Sequence, residues 1–456
     1  MPARKLVGHA AVCGVVLVGG SALGGVQAGA VGTSGGDFDV KSYDVKLDYR
    51  PGGKQLTGVT DIKATAAQDL DSLQLRLGFP TQSVEVDGVR AAGFEAKPAD
   101  REKSGSASLT VRPAHKIKRG KEFTIRVRYA GDPAKAGWMG TTDGGVISTA
   151  GTRWFAAHAN DTDRARLNVT ATVPAGWSAM SSGLKGATER KEGRETYHWS
   201  TAQDLTDSES IMNIGPWQIE ESRLKDGKPA YYAYGKGLKG KAAPYVSKQQ
   251  ELVDFLGRKF GKPYPYSSLG GIFVEPTDED SPFLESQGRV NFAGALRYWD
   301  EPSYVHEWTH QWFGTSVAPG KAPGDAMTTE GVCQYAAWMW DESHGKNLDE
   351  RYRSEMGKLR KDPKWWANNG VQNGMGVYNK GAYLLHALRH QIGDSAFNAT
   401  LKKWQTENSG KTRGWADMKR MFAQVSGQDL TEFFAQWDSN KVPAEKNLMP
   451  GTLAKP

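Results

Sequence analysis

Cysteine is nearly absent. The 456-residue chain holds two, Cys13 and Cys333, which excludes a disulfide scaffold. Long apolar runs are scarce as well. The one stretch of note, Ala10 to Leu23, follows Arg4 and Lys5 and leads to Ala28-Gly29-Ala30. A charged head, an apolar body and a small-x-small exit make the layout of a secretory signal peptide cleaved after Ala30. The rival, a transmembrane anchor over Leu6 to Val26, is rich in Gly and carries His9. No other segment approaches the ~18 uninterrupted apolar residues of a membrane span. The expectation is a secreted, extracellular protein with no stable membrane insertion once the signal is removed. Cys13 leaves with that segment, so Cys333 has no internal disulfide partner.

A strong charge of one sign is also missing. The formal net charge is +7, and the leader takes Arg4 and Lys5 with it. The densest basic run, Lys116-Ile117-Lys118-Arg119-Gly120-Lys121, reads as a solvated hairpin. No basic stripe interleaved with aromatics is present, so nucleic acid is not an expected partner. No period of about 20–50 residues repeats, which excludes solenoids and propellers. Gly is abundant, at 54 residues, without a Gly-X-Y period; this excludes collagen and points to many turns. The 15 Trp need large packed surfaces.

What is present falls into two patterns. From Asp37 to Tyr234 short runs alternate apolar and polar residues, as in Phe123-Thr124-Ile125-Arg126-Val127-Arg128-Tyr129 and Leu167-Asn168-Val169-Thr170-Ala171-Thr172-Val173. That period belongs to half-buried strands. The pattern changes between Gly235 and Ala243. Helical spacing then appears over Val246 to Phe260, Pro302 to Gly314, Thr329 to Ser343, Lys380 to Gly393, Ala396 to Glu407 and Leu430 to Trp437, with a strand-like run at Gly270 to Val274. The expected organisation is a signal peptide at 1–30, a β-rich N-terminal domain at 31–236 and a mostly helical domain at 237–456, an α+β multidomain chain.

The sharpest chemical signal is His306-Glu307-Trp308-Thr309-His310. Residues i and i+4 share a helix face, so two imidazoles can reach one zinc ion while the intervening Glu works beside it. A catalytic zinc needs a third protein ligand, and Glu330 opens the next helical run. Farther on, Tyr378 sits just before another helical run in Val377-Tyr378-Asn379-Lys380-Gly381-Ala382. Cys333, one helical turn after Glu330, reads as a buried inert thiol. His158, His386 and His390 read as structural, and Tyr335, Trp338 and Trp340 as core.

In these residues the chain resembles the aminopeptidase N family of zinc metallopeptidases, the gluzincins that include leukotriene hydrolases, and specifically a short secreted bacterial-type member. Gln311-Trp312-Phe313-Gly314, the Tyr378 segment, Leu388-Arg389-His390 with Gly393-Asp394, and Ser426-Gly427-Gln428-Asp429-Leu430 extend the match. Trp154-Phe155 and Asp163-Arg164-Ala165 echo the family's β domain. The resemblance implies a β-rich, saddle-like N-terminal domain followed by a thermolysin-like, mostly helical metallopeptidase domain. It implies one Zn²⁺ per chain on His306, His310 and Glu330, with Glu307 as general base and Tyr378 as catalytic donor to the oxyanion. Glu285, in Phe283-Leu284-Glu285-Ser286-Gln287, falls where the family binds the substrate amine. The implied activity is hydrolysis of peptides from the N-terminus by a monomer.

The chain departs from the family at several positions. One extra residue between His310 and Glu330 fits a loop holding Gly320, Pro323 and Gly324. Ala337 stands where a second Glu would steady a ligating His, a task left to Asp325 or a carbonyl. Pro282 replaces a Gly whose N–H would meet the substrate backbone, a second amine-binding residue is missing near Trp154, and Ala159 replaces an Asp. Two alternatives follow: a metallopeptidase with endopeptidase or altered specificity, and an inactive extracellular zinc-binding relative.

Overall fold

The computed structural model describes residues 37–97, 107–148, 153–160, 162–278, 283–372 and 374–454. The expected signal peptide and Pro282 lie outside these residues. The chain divides into two compact units. One comprises the described residues up to Ala243 together with Tyr266–Leu296; the other comprises Pro244–Pro265 and the chain from Arg297 onward.

The first unit is built on a nine-stranded sheet. Its central strands are β1 (Phe38–Arg50), β2 (Gln55–Ala66), β3 (Thr81–Val86), β4 (Glu122–Gly131), β5 (Arg166–Pro174) and β6 (Arg194–Ser200), in the order β6-β5-β1-β2-β4-β3. The alternation seen in the sequence becomes the two faces of this sheet. In β4 the residues run exposed and buried by turns, so that Phe123, Ile125, Val127 and Tyr129 enter the core. Register places Val45 beside Val169 in the parallel β1–β5 pair and Ile62 beside Ile125 in the antiparallel β2–β4 pair. The basic run ends as exposed ion pairs, Lys116 with Asp71, Lys118 with Asp69 and Lys121 with Asp87. His158 is buried between two carboxylates, with Nδ1 2.6 Å from Asp163 and Nε2 2.9 Å from Asp37. Two four-stranded sheets and a five-stranded sheet make up the rest of the unit's strands; the five-stranded sheet carries Glu285. Within it β7 (Pro229–Tyr234) and β8 (Leu269–Phe273) pair in parallel, while β9 (Leu284–Ser286) and β10 (Arg289–Phe292) form a hairpin.

The second unit contains α1 (Gln249–Phe260), α2 (Glu301–Thr309), α3 (Glu330–Ser343), α4 (Leu348–Leu359), α5 (Gly374–Ile392), α6 (Asp394–Asn408), α7 (Trp415–Ser426) and α8 (Thr431–Asp438). Tyr335, Trp338 and Trp340 are buried, as read from the sequence. Two differences from the sequence expectation bear on the site. Helix α2 stops at Thr309 instead of Gly314, and α5 begins at Gly374 instead of Lys380. Tyr378 therefore lies inside a helix and not before one. Gly374 and Gly376 weaken the helical signal there, and packing overrides it: a Cβ on Gly376 would meet the Gly370 carbonyl oxygen at 2.1 Å.

Candidate metal centre and active site

Helix α2 is short and firmly started. Asp300 caps it, its side chain accepting the Ser303 N–H at 2.8 Å, and Pro302 occupies the first turn, where a missing N–H costs nothing. The helix ends inside the His-Glu-x-x-His segment. His310 is the C-cap but keeps helical dihedrals, φ −56° and ψ −20°, so the i,i+4 relation to His306 survives. Beyond it the chain coils into turns. The Trp312 and Phe313 N–H groups both donate to the Thr309 carbonyl, and Thr315 N–H donates to the His310 carbonyl. Gly314 makes this turn possible. Its φ is +143°, and a Cβ there would approach His310 Nδ1 to 3.2 Å, a conformation only glycine adopts without strain.

The turn also orients a ligand. His310 Nδ1 is 3.0 Å from the Phe313 carbonyl oxygen. A carbonyl only accepts, so Nδ1 carries the proton and the Nε2 lone pair faces His306 and Glu330. Cys333 Sγ lies 3.4 Å from the same Nδ1, behind the ring as seen from Nε2. Burial pushes its thiol up to about 12, in keeping with an inert residue. Asp325 does not play the supporting part suggested for it. Its oxygens accept the Ala322 and Trp415 N–H groups at 2.9 and 2.8 Å, tying the loop before α3 to the start of α7. His306 Nδ1 is buried with no hydrogen-bond partner among the described residues.

Three ligand atoms converge. His306 Nε2 and His310 Nε2 are 3.1 Å apart, and Glu330 Oε2 lies 3.2 Å from the first and 3.3 Å from the second. All three side chains are buried. A tetrahedral zinc with bonds of ~2.0–2.1 Å has ligand–ligand edges of ~3.3 Å. The triangle matches those edges, and two imidazoles with one carboxylate are a zinc donor set, so these residues fit the ion. Burial pushes the His306 pKa down, towards the neutral ligand form. Burial alone would raise the Glu330 carboxyl; His310 and His306 outweigh it and hold the group far below the usual carboxylate range.

Two further candidates stand beside this triangle. Glu307 is 2 % exposed, and one of its carboxylate oxygens lies within 4.8 Å of a ring nitrogen of His310. Tyr378 lies with its ring nearly parallel to that of His306, at 22° and a centroid distance of 6.1 Å. The crossing of α3 and α5 holds Tyr378 there. Gly331, next to Glu330, meets Gly381, three residues after Tyr378, so closely that a Cβ on Gly381 would sit 2.5 Å from the Gly331 Cα. Lys380 points elsewhere: its buried ammonium donates to the Ser439 carbonyl at 2.7 Å and lies 5.0 Å from the Trp366 ring centroid. Burial draws its pKa down to about 8. Glu285 belongs to the other unit, half-buried on β9 and paired in register with Val290. The Phe313 carbonyl and the Gly331–Gly381 contact went unread in the sequence; only the pairing of a Gly after Glu330 with a Gly after Tyr378 hinted at the latter.

Comparison with known proteins bears on the fold. No protein-family profile matches the chain. An aminopeptidase N from Lactococcus lactis subsp. lactis is 26 % identical over 154 residues, a match covering 29 % of this chain and 18 % of that protein. The chain thus matches less than a fifth of that relative's length. Among solved structures, an M1 zinc metallopeptidase from Deinococcus radiodurans aligns with a TM-score of 0.74 at 22 % identity, covering 90 % of this chain and 96 % of that one. A variant of the Deinococcus protein bound to a Tyr-Ser-Ala substrate aligns at 21 % identity and the same TM-score. The chain has the fold of these two-domain metallopeptidases, and both likenesses fall in the group that its motifs resemble.

Proposed function

We propose that this chain is an exported zinc-dependent aminopeptidase that removes N-terminal residues from peptides, with one zinc at the centre formed by His306, His310 and Glu330. The observation that carries the proposal is the buried triangle of two Nε2 atoms and one carboxylate oxygen with edges of 3.1–3.3 Å. Zinc in such a ligand set supplies a Lewis acid and brings a water molecule's pKa towards neutrality.

The chain's own residues supply the rest. Glu307, buried beside His310, accepts the proton of the attacking water and delivers it to the departing amine. Tyr378 donates its hydroxyl proton in a hydrogen bond to the carbonyl oxygen as negative charge develops there, a contribution of about 3–4 kcal/mol to the barrier. Glu285 pairs with the substrate's free ammonium group and sets cleavage one residue from the end. Export follows from the layout of residues 1–30; among the described residues no helix is long and apolar enough to cross a membrane.

A second reading keeps the zinc chemistry and loosens the demand for a free N-terminus. It is favoured by Pro282, which has no N–H to offer a substrate backbone. The test is hydrolysis of a panel of free-amine and N-acetylated peptides, with and without a zinc chelator. The proposal expects cleavage of free-amine substrates, loss on chelation, recovery with zinc, and loss in Glu307→Ala. Faster cleavage of blocked substrates would replace aminopeptidase with endopeptidase, and a wild type no faster than Glu307→Ala would remove the assigned base.

A further inference from the structure

A second group of ligand-type atoms lies in the helical unit and shares no residue with the first. Asp349, in the first turn of α4, faces His386 and His390 on α5. The two histidines are four residues apart and so share a helix face. Asp349 Oδ1 is 2.9 Å from His390 Nε2 and 3.2 Å from His386 Nε2, and the three atoms all lie within 4.8 Å of one another.

His386 separates a ligand site from a plain hydrogen-bonded trio. It is 1 % exposed, and its Nε2 forms no hydrogen bond despite the short distance to Asp349. The contact is off the line that an N–H donor needs. His390 Nε2, by contrast, is aligned with Asp349 Oδ1. A buried ring nitrogen 3.2 Å from a carboxylate oxygen, off the hydrogen-bond line and within 4.8 Å of a second ring nitrogen, is placed as ligands to a common ion are placed. The other nitrogen of His386 is accounted for, since Nδ1 lies 3.1 Å from the Tyr335 hydroxyl, the kind of outer partner that fixes a metal-bound imidazole. Two arginines lie nearby, one paired away from the trio and one on the outer oxygen of Asp349. Arg389 pairs with Glu342 and Asp394, and Arg353 approaches the other oxygen of Asp349, at 3.8 Å.

We infer that Asp349, His386 and His390 bind a second divalent transition-metal ion of the zinc class, distinct from the proposed catalytic zinc. Two imidazoles and a carboxylate suit zinc, nickel, cobalt or copper better than magnesium or calcium. The partial exposure of His390 and Asp349 gives an ion a way in. An ion there ties α4 to α5, the helix that carries Tyr378. This revises the sequence reading of His386 and His390 as structural histidines, and it raises the expected zinc count from one to two.

The experiment is equilibrium dialysis of the full chain against zinc at micromolar free concentration, with zinc counted per chain. The inference expects two ions in wild type, one in His390→Ala and one in Asp349→Asn, with peptide hydrolysis retained in both variants. His310→Ala is expected to lose hydrolysis and keep the ion that His390→Ala removes. Equal zinc counts in wild type, His390→Ala and Asp349→Asn, all folded by circular dichroism, would overturn it. Loss of one ion in those variants alongside an inactive wild type would sink the proposed function and leave this site standing.

Discussion

Gly381 offers a sharp test of how the fold positions the chemistry. A methyl group there would lie 2.5 Å from the Gly331 Cα, whereas carbon atoms rest at ~3.5–4.0 Å. Helices α3 and α5 must therefore separate by about 1 Å in Gly381→Ala. Overpacking of this kind costs about 1–3 kcal/mol. Replacing a helical Gly by Ala returns about 1 kcal/mol through propensity, so the net loss of stability should be no more than about 2 kcal/mol. The catalytic consequence is larger. Glu330 adjoins Gly331 and Tyr378 lies one turn before Gly381, so the separation displaces the tyrosine from the ligand triangle. A 1 Å misplacement can cost about 100-fold in rate. The assay is kcat/KM for an aminoacyl anilide, with Tm and zinc content measured on the same sample. A folded variant losing about 10- to 100-fold in kcat/KM is expected. The control is Gly357→Ala, inside α4 with nothing within 4 Å of the added Cβ, which should keep full activity. Wild-type kcat/KM in a zinc-loaded Gly381→Ala would refute the claim that this crossing sets Tyr378.

Three other perturbations test separate parts of the account. Tyr378→Phe should lower kcat by about 10²–10³ with little change in KM, the signature of a donor used only as charge develops; a change in KM alone would make Tyr378 a binding residue. Cys333→Ala should retain activity, and the native thiol should resist a thiol reagent until the protein unfolds, since burial raises its pKa to about 12; rapid native labelling would contradict that burial. His158 concerns stability and pH. Burial opposes its charge, but the contacts with Asp163 and Asp37 prevail and raise its pKa above the ordinary 6.5. The folded state then holds the proton more tightly, so its contribution is complete below pH 6.5 and fades as pH rises through the folded value. The Tm difference between wild type and His158→Gln should accordingly narrow between pH 6 and pH 9, and a constant difference would count against the charged pair.

The closeness of His306 and His310 was legible in the sequence because one local rule, the i,i+4 helix face, brings them together, whereas Glu330 was reached through its place at the start of the next helical run and the family resemblance. The rule worked even though α2 ends before His310, since the cap keeps helical dihedrals. Alternation revealed the β-rich half for a similar reason: burial on one face is recorded residue by residue. Contacts between distant segments left weaker traces. The parallel pairing of β1 with β5 joins strands over a hundred residues apart, and nothing local to either names the partner. Helices α4 and α7 escaped notice because each buries only a narrow stripe, Leu348, Tyr352 and Met356 in one and Trp415, Met418 and Phe422 in the other. Missing α4 also hid the partnership of Asp349 with His386 and His390. Asp325 looked available to steady a histidine until its oxygens proved to be taken by backbone N–H groups.

The most direct test of the central claim is an anomalous difference map, recorded at the zinc edge, from crystals of zinc-loaded protein that hydrolyses a free-amine peptide. The account predicts a peak within ~2.0–2.2 Å of His306 Nε2, His310 Nε2 and a Glu330 carboxylate oxygen. Active protein with no peak among those three atoms would contradict it.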